Sequence, residues 1–512
     1  MPAKSSHFNS FGQILWNRWD LTRELRTIAT YNIYYGTYVT SPATLRLARD
    51  ALRFARKHNI EIQPWGKSNL ALNDPQSLME YHNARMFELS RAENTKLILT
   101  RPLKEEMSQF VMTGIQYALL SQRCIIADPS PQDRMEIALG AIHQRECYPC
   151  LIVCGKDERK HWHERIQALL PEDIQVLDVC DAQSALPEKA ILFAEHSILE
   201  RQFRWPTLPR RKDKAGTSLI VDQAHLFKNP EARRTQNLLS IRKGVSYRLL
   251  LTDYPVDLSY QDLRILLRIL DREGEFEDLY DSLRTASRDP LINASRNHDR
   301  HGHQTVLRQL HFKLRAGCMI RRADDRELGV QERVMPIGLT NGFPVGFDPE
   351  EIKHPLHVIG VKKIEGAIAW LRLFLKGCRG KTLIFAHHND VVERVAEALE
   401  IPAYYGKTTS EKERSRIIQD FRHGNRLKAL MVANDMELEW DLPDVSHVVF
   451  VEMPRSLSKY ENVLNRVTGD ESGKSVSVYF LVSENLLDKR AQYRLQFREA
   501  EYDIIMDGGI SR

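Results

Sequence analysis

Short apolar runs alternate with amphipathic stretches over most of the chain. Between residues 89 and 290 the runs are RCIIAD, YPCLIVC, AILFAEH, TSLIVDQAH and YRLLLTDYP, each ending on a polar or small residue. Continuous rather than alternating runs predict strands of a parallel sheet covered on both faces, with chemistry at their carboxyl ends. KTLIFAHH, IPAYYG, KALMVAND, SHVVFVEMP and SVSVYFLV repeat the pattern between residues 356 and 512 and predict a second such sheet. Residues 291–355 are less regular. NASRNHDRHGHQ is polar, LRQLHFKLRAGCMIRR is helical and basic, and LTNGFPVGFDPEEIKHP reads as loop, so a connector is expected there.

Residues 1–88 predict a separate, small α+β domain. SPATLRLARDALRFARKHN reads as one helix, with Ser41 as its cap and Pro42 at its first position. Leu45, Leu47, Ala48, Leu52 and Ala55 are expected on its buried face. TYNIYYGTYVT has strand composition. Its Tyr31, Tyr34, Tyr35 and Tyr38 read as sheet packing, with base stacking as the functional alternative. Two α/β lobes joined by a connector offer a cleft for ligands. Pattern alone leaves three architectures open: a two-lobed motor, a glycosyltransferase-like enzyme or a double-domain binding protein.

A chain of 512 residues has room for two or three domains with cores of their own. The net charge of +5, from 73 basic and 68 acidic side chains, permits nucleic acid without requiring it. Seven cysteines without a regular framework fit a reducing compartment. MPAKSSHFNSFGQ lacks the apolar run of a signal peptide, and no stretch has the apolar length of a membrane span. An intracellular protein, cytoplasmic or nucleoid/nuclear, neither secreted nor in a membrane, is expected.

Particular stretches narrow the choice. KTLIFAHHNDVVERVAEAL carries the FAHH stretch, and YYGKTTSEKERSRIIQDFRHG sets Gly406, Thr409, Ser410, Arg414 and Phe421 in a G-x-T-S…R…F order. MIRR occupies Met319 to Arg322, IVDQAHLFKNPEARRTQ follows a D-x-x-H-x-x-K-N order, LLLTDYP ends a strand, and LIVCGKDERKHWHERI includes Trp162. Together these resemble the motifs of the Swi/Snf-type superfamily-two helicase-like translocases, in that family's order, and are closest to the annealing-helicase branch. The resemblance covers roughly residues 100–490. It implies two tandem RecA-like parallel-sheet lobes after the N-terminal domain.

The same alignment implies that the nucleotide site is degenerate. The family's phosphate loop needs glycines whose N–H groups wrap phosphate, a lysine for the outer phosphates and a threonine for magnesium. Here Pro131 and Asp133 stand at the glycine positions, Arg134 at the lysine and Met135 at the threonine. Pro131 lacks an N–H, Asp133 repels phosphate, and Met135 has no hydroxyl. Asp222 retains the magnesium position, but Gln223 replaces the glutamate, and a neutral amide cannot act as general base. Asp253 and Tyr254 replace the Gly and Thr of the third motif. In the second lobe Glu437, Glu439 and Asp441 stand where the family has glycines, and Val463 replaces one of two arginines, leaving Arg466, which reads equally as an ion-pair partner. Thr468 and Gly469 stand for the terminal Gly-Gln. His225, Lys228 and Asn229 read as structural.

No catalytic residue, cofactor or metal is therefore expected. ATP and magnesium belong only to the alternative, a DNA-dependent ATPase with unusual motifs. His143, Cys147, Cys150 and Cys154 approach metal-ligand spacing, but Cys154 falls in a buried strand and no second pair completes a site. His298, His301, His303 and His311 read as a solvated run. Arg201, Arg204, Arg210, Arg211, Lys212 and Lys214 form a basic loop, and Arg315, Arg321 and Arg322 a second cluster. Phosphate contacts use such side chains. Nucleic acid, DNA rather than RNA, and protein partners in a larger assembly are the expected partners.

Overall fold

The computed structural model describes residues 5–8, 12–32, 37–63, 74–95, 97, 99–156, 158–180, 187, 189–201, 217–242, 245–256, 260–286, 297–322, 329–340, 355–404, 411–424, 427–433, 442, 444–454, 456–468 and 475–509. These fall into two compact units, Met1–Asp324 with Glu501–Arg512, and Asp325–Ala500.

The first unit opens with a five-stranded sheet. β1 (Ser5–Phe8), β2 (Ile14–Trp16), β3 (Thr30–Asn32), β4 (Thr37–Thr40) and β5 (Glu61–Gln63) lie in the order β3-β4-β2-β1-β5. β1 and β5 are parallel and the other pairs antiparallel. Phe8, Ile14, Trp16 and Leu25 form its core with Ala48, Ala51, Leu52, Phe54 and Ala55 of the helix Leu45–Lys57. The cap of that helix is Thr44, not Ser41. Thr44 is extended and its side chain accepts from Leu47 N at 3.3 Å. Ser41 instead accepts from Gln13 at 2.7 Å, which leaves Pro42 ahead of the helix. Leu45 and Leu47, expected inside, are 38% exposed, because the i, i+3, i+4 face at Ala48, Ala51, Leu52 and Ala55 already fills the contact. Thr44→Ala should cost about 1 kcal/mol, read as a lower urea midpoint. Tyr38 is buried in a T-shaped contact with Trp19, as sheet packing requires. Tyr34, Tyr35 and the side chain of Tyr31 lie outside the described residues.

Next comes a seven-stranded, all-parallel sheet. β6 (Arg123–Ile126), β7 (Cys150–Cys154), β8 (Gln175–Asp178), β9 (Ala190–Glu195), β10 (Ser218–Val221), β11 (Tyr247–Leu251) and β12 (Met319–Ile320) run in the order β12-β6-β11-β10-β7-β9-β8. β7, β10 and β11 are buried throughout, as their unbroken apolar runs predict. Ile115 and Tyr117 of the helix Gln109–Ser121, and Ile137 and Ile142 of the helix Pro131–Arg145, share one core with these strands.

The second unit is built on a six-stranded parallel sheet. β13 (Gly329–Ile337), β14 (Lys381–Ala386), β15 (Ala403–Tyr404), β16 (Ala429–Ala433), β17 (Val445–Phe450) and β18 (Ser475–Ser483) run in the order β13-β18-β17-β14-β16-β15. Ile364, Ala367 and Leu371 of the helix Pro355–Gly377 pack with Ile384, Met431 and Leu481.

Residues 291–355 are shared between the units. The helix Asn297–Gly317 and β12 belong to the first, and β13 is an edge strand of the second sheet. Two histidines of that helix, His303 and His311, are not solvated. His303 lies 2.7 Å from Glu501, and His311 is buried with Nδ1 2.8 Å from the Ile505 carbonyl. Both partners sit on the end of the helix Leu486–Asp507, about 200 residues later in the chain, so no local pattern announces them. The side chains of His298 and His301 lie outside the described residues. Among the described residues no helix is long and apolar enough to cross a membrane.

Candidate functional site

In the first unit, chemistry gathers where strands of the parallel sheet end. Asp128 follows β6, Gly155 follows β7, Asp222 follows β10, Thr252 and Asp253 follow β11, and Arg321 follows β12. Parallel strands align these carboxyl ends along one edge. Asp222 is buried. Its Oδ2 accepts from Trp162 Nε1 at 2.8 Å and its Oδ1 from Gln223 N at 2.9 Å. Burial raises its carboxyl above the ordinary range, against the Trp162 hydrogen bond and the Arg134 charge. Gln223 adopts a left-handed backbone, φ 51°, and its amide donates to Glu158 Oε1 at 2.5 Å. The Glu158 side chain lies across Gly155. His225 Nδ1 is 2.9 Å from Thr252 Oγ1, and Asn229 Oδ1 accepts from Glu231 N, the polar turn contacts expected of them.

The turn at the phosphate-loop position is a tight helix entry. Ser130 caps the helix, accepting from Asp133 N at 3.2 Å, and Pro131 takes the first helical position. Arg134 is buried and turns back beneath the turn. Its Nη1 donates to the Asp128 and Pro129 carbonyls at 2.5 and 2.8 Å and lies 3.9 Å from the Asp253 carboxylate. Met135 is buried in the core. Asp133 is half-buried, and burial, then Glu136, raises its carboxyl. One arm of this cation is thus held by the loop's own carbonyls, while its buried Nε has no hydrogen-bond partner among the described residues.

Arg321 and Arg322, read from the sequence as phosphate contacts, are inside the first unit. Both Arg322 guanidinium and backbone bond Asp128, the side chains being 1% and 0% exposed, and a further arm donates to the Phe110 carbonyl. Arg321 donates to the Ala127 carbonyl at 3.1 Å and pairs with Asp507 at 3.4 Å. Tyr502, beside it, donates to the Asp253 carbonyl at 2.9 Å. Arg315 is also buried. The Arg321 and Arg322 guanidiniums tie Asp128, the Ala127 and Asp253 carbonyls and Asp507 together, whereas Arg315 Nε and Nη1 are buried with no hydrogen-bond partner among the described residues. Arg204, Arg210, Arg211, Lys212 and Lys214 lie outside the described residues.

In the second unit, Glu452 accepts from His387 N at 2.7 Å, His388 N at 2.9 Å and His388 Nδ1 at 2.6 Å. Burial pushes its carboxyl up, but the His388 bonds outweigh it and hold it below the ordinary range. Val463 is buried, Arg466 is half-buried, and the Arg466 carbonyl accepts from Leu442 N at 2.7 Å. Glu437, Glu439, Asp441 and Gly469 lie outside the described residues. Cys147, Cys150 and Cys154 are buried, with burial pushing the first two thiols to about 11 and about 12. Among the described residues no group of His, Cys, Asp and Glu is arranged to hold a metal.

Residues 365–468 match the helicase conserved C-terminal domain. The human DNA annealing helicase and endonuclease ZRANB3 is 22% identical over 440 residues, 78% of this chain and 40% of that protein. The Xenopus tropicalis SWI/SNF-related matrix-associated actin-dependent regulator of chromatin subfamily A-like protein 1 is also 22% identical, over 75% of this chain and 43% of its own length. The chain is thus similar to Swi/Snf-related proteins, among them an annealing helicase. It spans about two fifths of the length of the curated relatives it matches. The Sulfolobus solfataricus SWI2/SNF2 ATPase core in complex with dsDNA is similar at a TM-score of 0.36 and 16% identity, over 80% of this chain and 96% of that one.

Two parts of the site escape sequence reasoning. Glu158 stands beside Gln223 although 65 residues separate them. Asp128 meets Arg322 across 194 residues. A buried arginine in MIRR has no local mark that separates it from a surface one.

Proposed function

We propose that this chain has the frame of a Swi/Snf-type motor without its ATPase, and serves as a nucleic-acid-binding or scaffold subunit of a larger intracellular assembly. The observation that carries the reading is Arg134. The lysine-position cation is spent on the Asp128 and Pro129 carbonyls, beneath a turn that begins with Pro131. Gln223 adds the loss of the base next to Asp222. The intact buried strands argue that the fold is kept while nucleotide positions have diverged. DNA is the favoured nucleic acid, since the relatives' names are those of DNA-directed and chromatin proteins. In a phosphate-release assay, turnover should not rise above the protein-free blank, with or without DNA. DNA-stimulated release abolished by Asp222→Ala would overturn this reading.

One observation favours the second reading, an ATPase with atypical motifs. Glu158 brings a carboxylate within hydrogen-bond distance of the side chain that replaced the usual glutamate. In such an enzyme Glu158 would take the base's role through a water, and Asp222 would hold magnesium. Turnover lost in Glu158→Gln but kept in Gln223→Ala would select it.

A further inference from the structure

We infer that the N-terminal five-stranded domain carries a single-strand nucleic-acid surface, made by the outward face of the helix Leu45–Lys57 and by Trp19. The inference rests on the nucleic-acid reading above and gives it a place separate in the sequence from the basic stretch at residues 201–214.

Arg46, Arg49, Arg53, Arg56 and Lys57 are all exposed. Their spacing of three and four residues puts them on one face, opposite Ala48, Ala51, Leu52 and Ala55. Within the helix they face a single carboxylate, Asp50, which lies 3.5 Å from Arg53. Helix stability does not account for this row. Like charges three and four residues apart repel. Arg46 sits in the first turn and Arg49 just beyond it, near the positive end of the helix dipole, and the first turn holds no acidic residue. Arg56 and Lys57 complement the opposite end and Arg53 pairs with Asp50, so the unexplained cations are Arg46 and Arg49. A row of guanidiniums along one side of a helix is what a phosphate backbone pairs with.

The neighbouring helix Thr22–Ile28 extends the surface. Glu24 bonds Lys57 at 2.7 Å and His58 at 2.9 Å, which fixes the helix against the carboxyl end of the long one. Its Arg23 and Arg26 are exposed. Just before it, Trp19 is 54% exposed, in a T-shaped contact with Tyr38 at 5.8 Å between ring centroids. Arg26 reaches the same Tyr38 hydroxyl. A half-exposed indole beside cations is a stacking platform, and only an unpaired strand offers its bases to one.

The test is fluorescence anisotropy with the full chain, a labelled oligothymidine strand and a matching duplex, over a salt series. Arg46, Arg49, Arg53 and Arg56 together changed to Ala should weaken single-strand binding at least about tenfold at low salt. Four lost contacts should make the salt slope shallower by about 3. Trp19→Ala should weaken the single strand roughly tenfold and leave the duplex within about twofold. All five sites are solvent-facing, and far-ultraviolet circular dichroism confirms folding. Wild-type affinity and slope in the quadruple variant overturn the inference while leaving nucleic acid as partner. So does loss confined to Arg210, Arg211 and Lys212 replaced by Ala. Equal losses for strand and duplex in Trp19→Ala overturn the stacking. A wild-type chain that binds neither probe at low salt overturns the nucleic-acid reading itself.

Discussion

Arg322→Met should lower the stability of the first unit by about 3–5 kcal/mol, the usual cost of leaving one member of a buried pair uncompensated. Asp128 would lose two guanidinium bonds inside the core and, among the described residues, keep the Arg322 backbone N–H at 2.8 Å. Urea unfolding followed on the first unit is the measurement. Adding Asp128→Asn should recover at least half of the loss, because the amide oxygen still accepts that N–H and no charge remains. A single variant that costs less than about 1 kcal/mol contradicts the buried pair. The same pair bears on function. If Arg322 were at the surface holding phosphate, its removal would change nucleic-acid affinity and leave stability nearly unchanged.

Acidification should destabilise the first unit well before its carboxylates titrate. His82 is buried, and burial pushes its imidazole down to about 3. His196 is pushed to about 4 by burial as well. In the unfolded chain both bind a proton near the ordinary value of about 6.5. Below that pH the unfolded state therefore holds more protons than the folded one, and stability falls as pH falls. Each histidine contributes a slope of about 1.4 kcal/mol per pH unit, so the pair removes about 5 kcal/mol between pH 6.5 and 4.5. Asp222 and Asp133 act in the opposite sense, because burial raises both. Urea midpoints at intervals from pH 7 to 4.5 measure the net effect. His82→Gln should flatten the curve. A midpoint that holds steady or rises between pH 6.5 and 5 contradicts the assignment of a neutral buried His82.

Both sheets of the two lobes were legible because parallel strands buried on two faces must be apolar throughout, and CLIVC, SLIV and YRLLL carry no polar alternation. β13 was not, because GVQERVMPI is an edge strand whose exposed residues need not be apolar. Helix existence in the N-terminal domain was legible and its start was not. Ser41, Pro42 and Thr44 all suit a helix entry, and the Gln13 side chain decides among them by engaging Ser41.

Which groups stand at the nucleotide positions of the resemblance follows from the residue types: Pro131 has no N–H, Met135 no hydroxyl and Gln223 no carboxylate. Where the cations go was settled by folding. Arg134, Arg321 and Arg322 carry the same guanidinium as Arg46 and Arg49, yet the first three are buried on carbonyls and carboxylates and the last two face solvent. A long flexible side chain takes its role from the acceptors that folding brings within reach, and most of those lie far away in the chain.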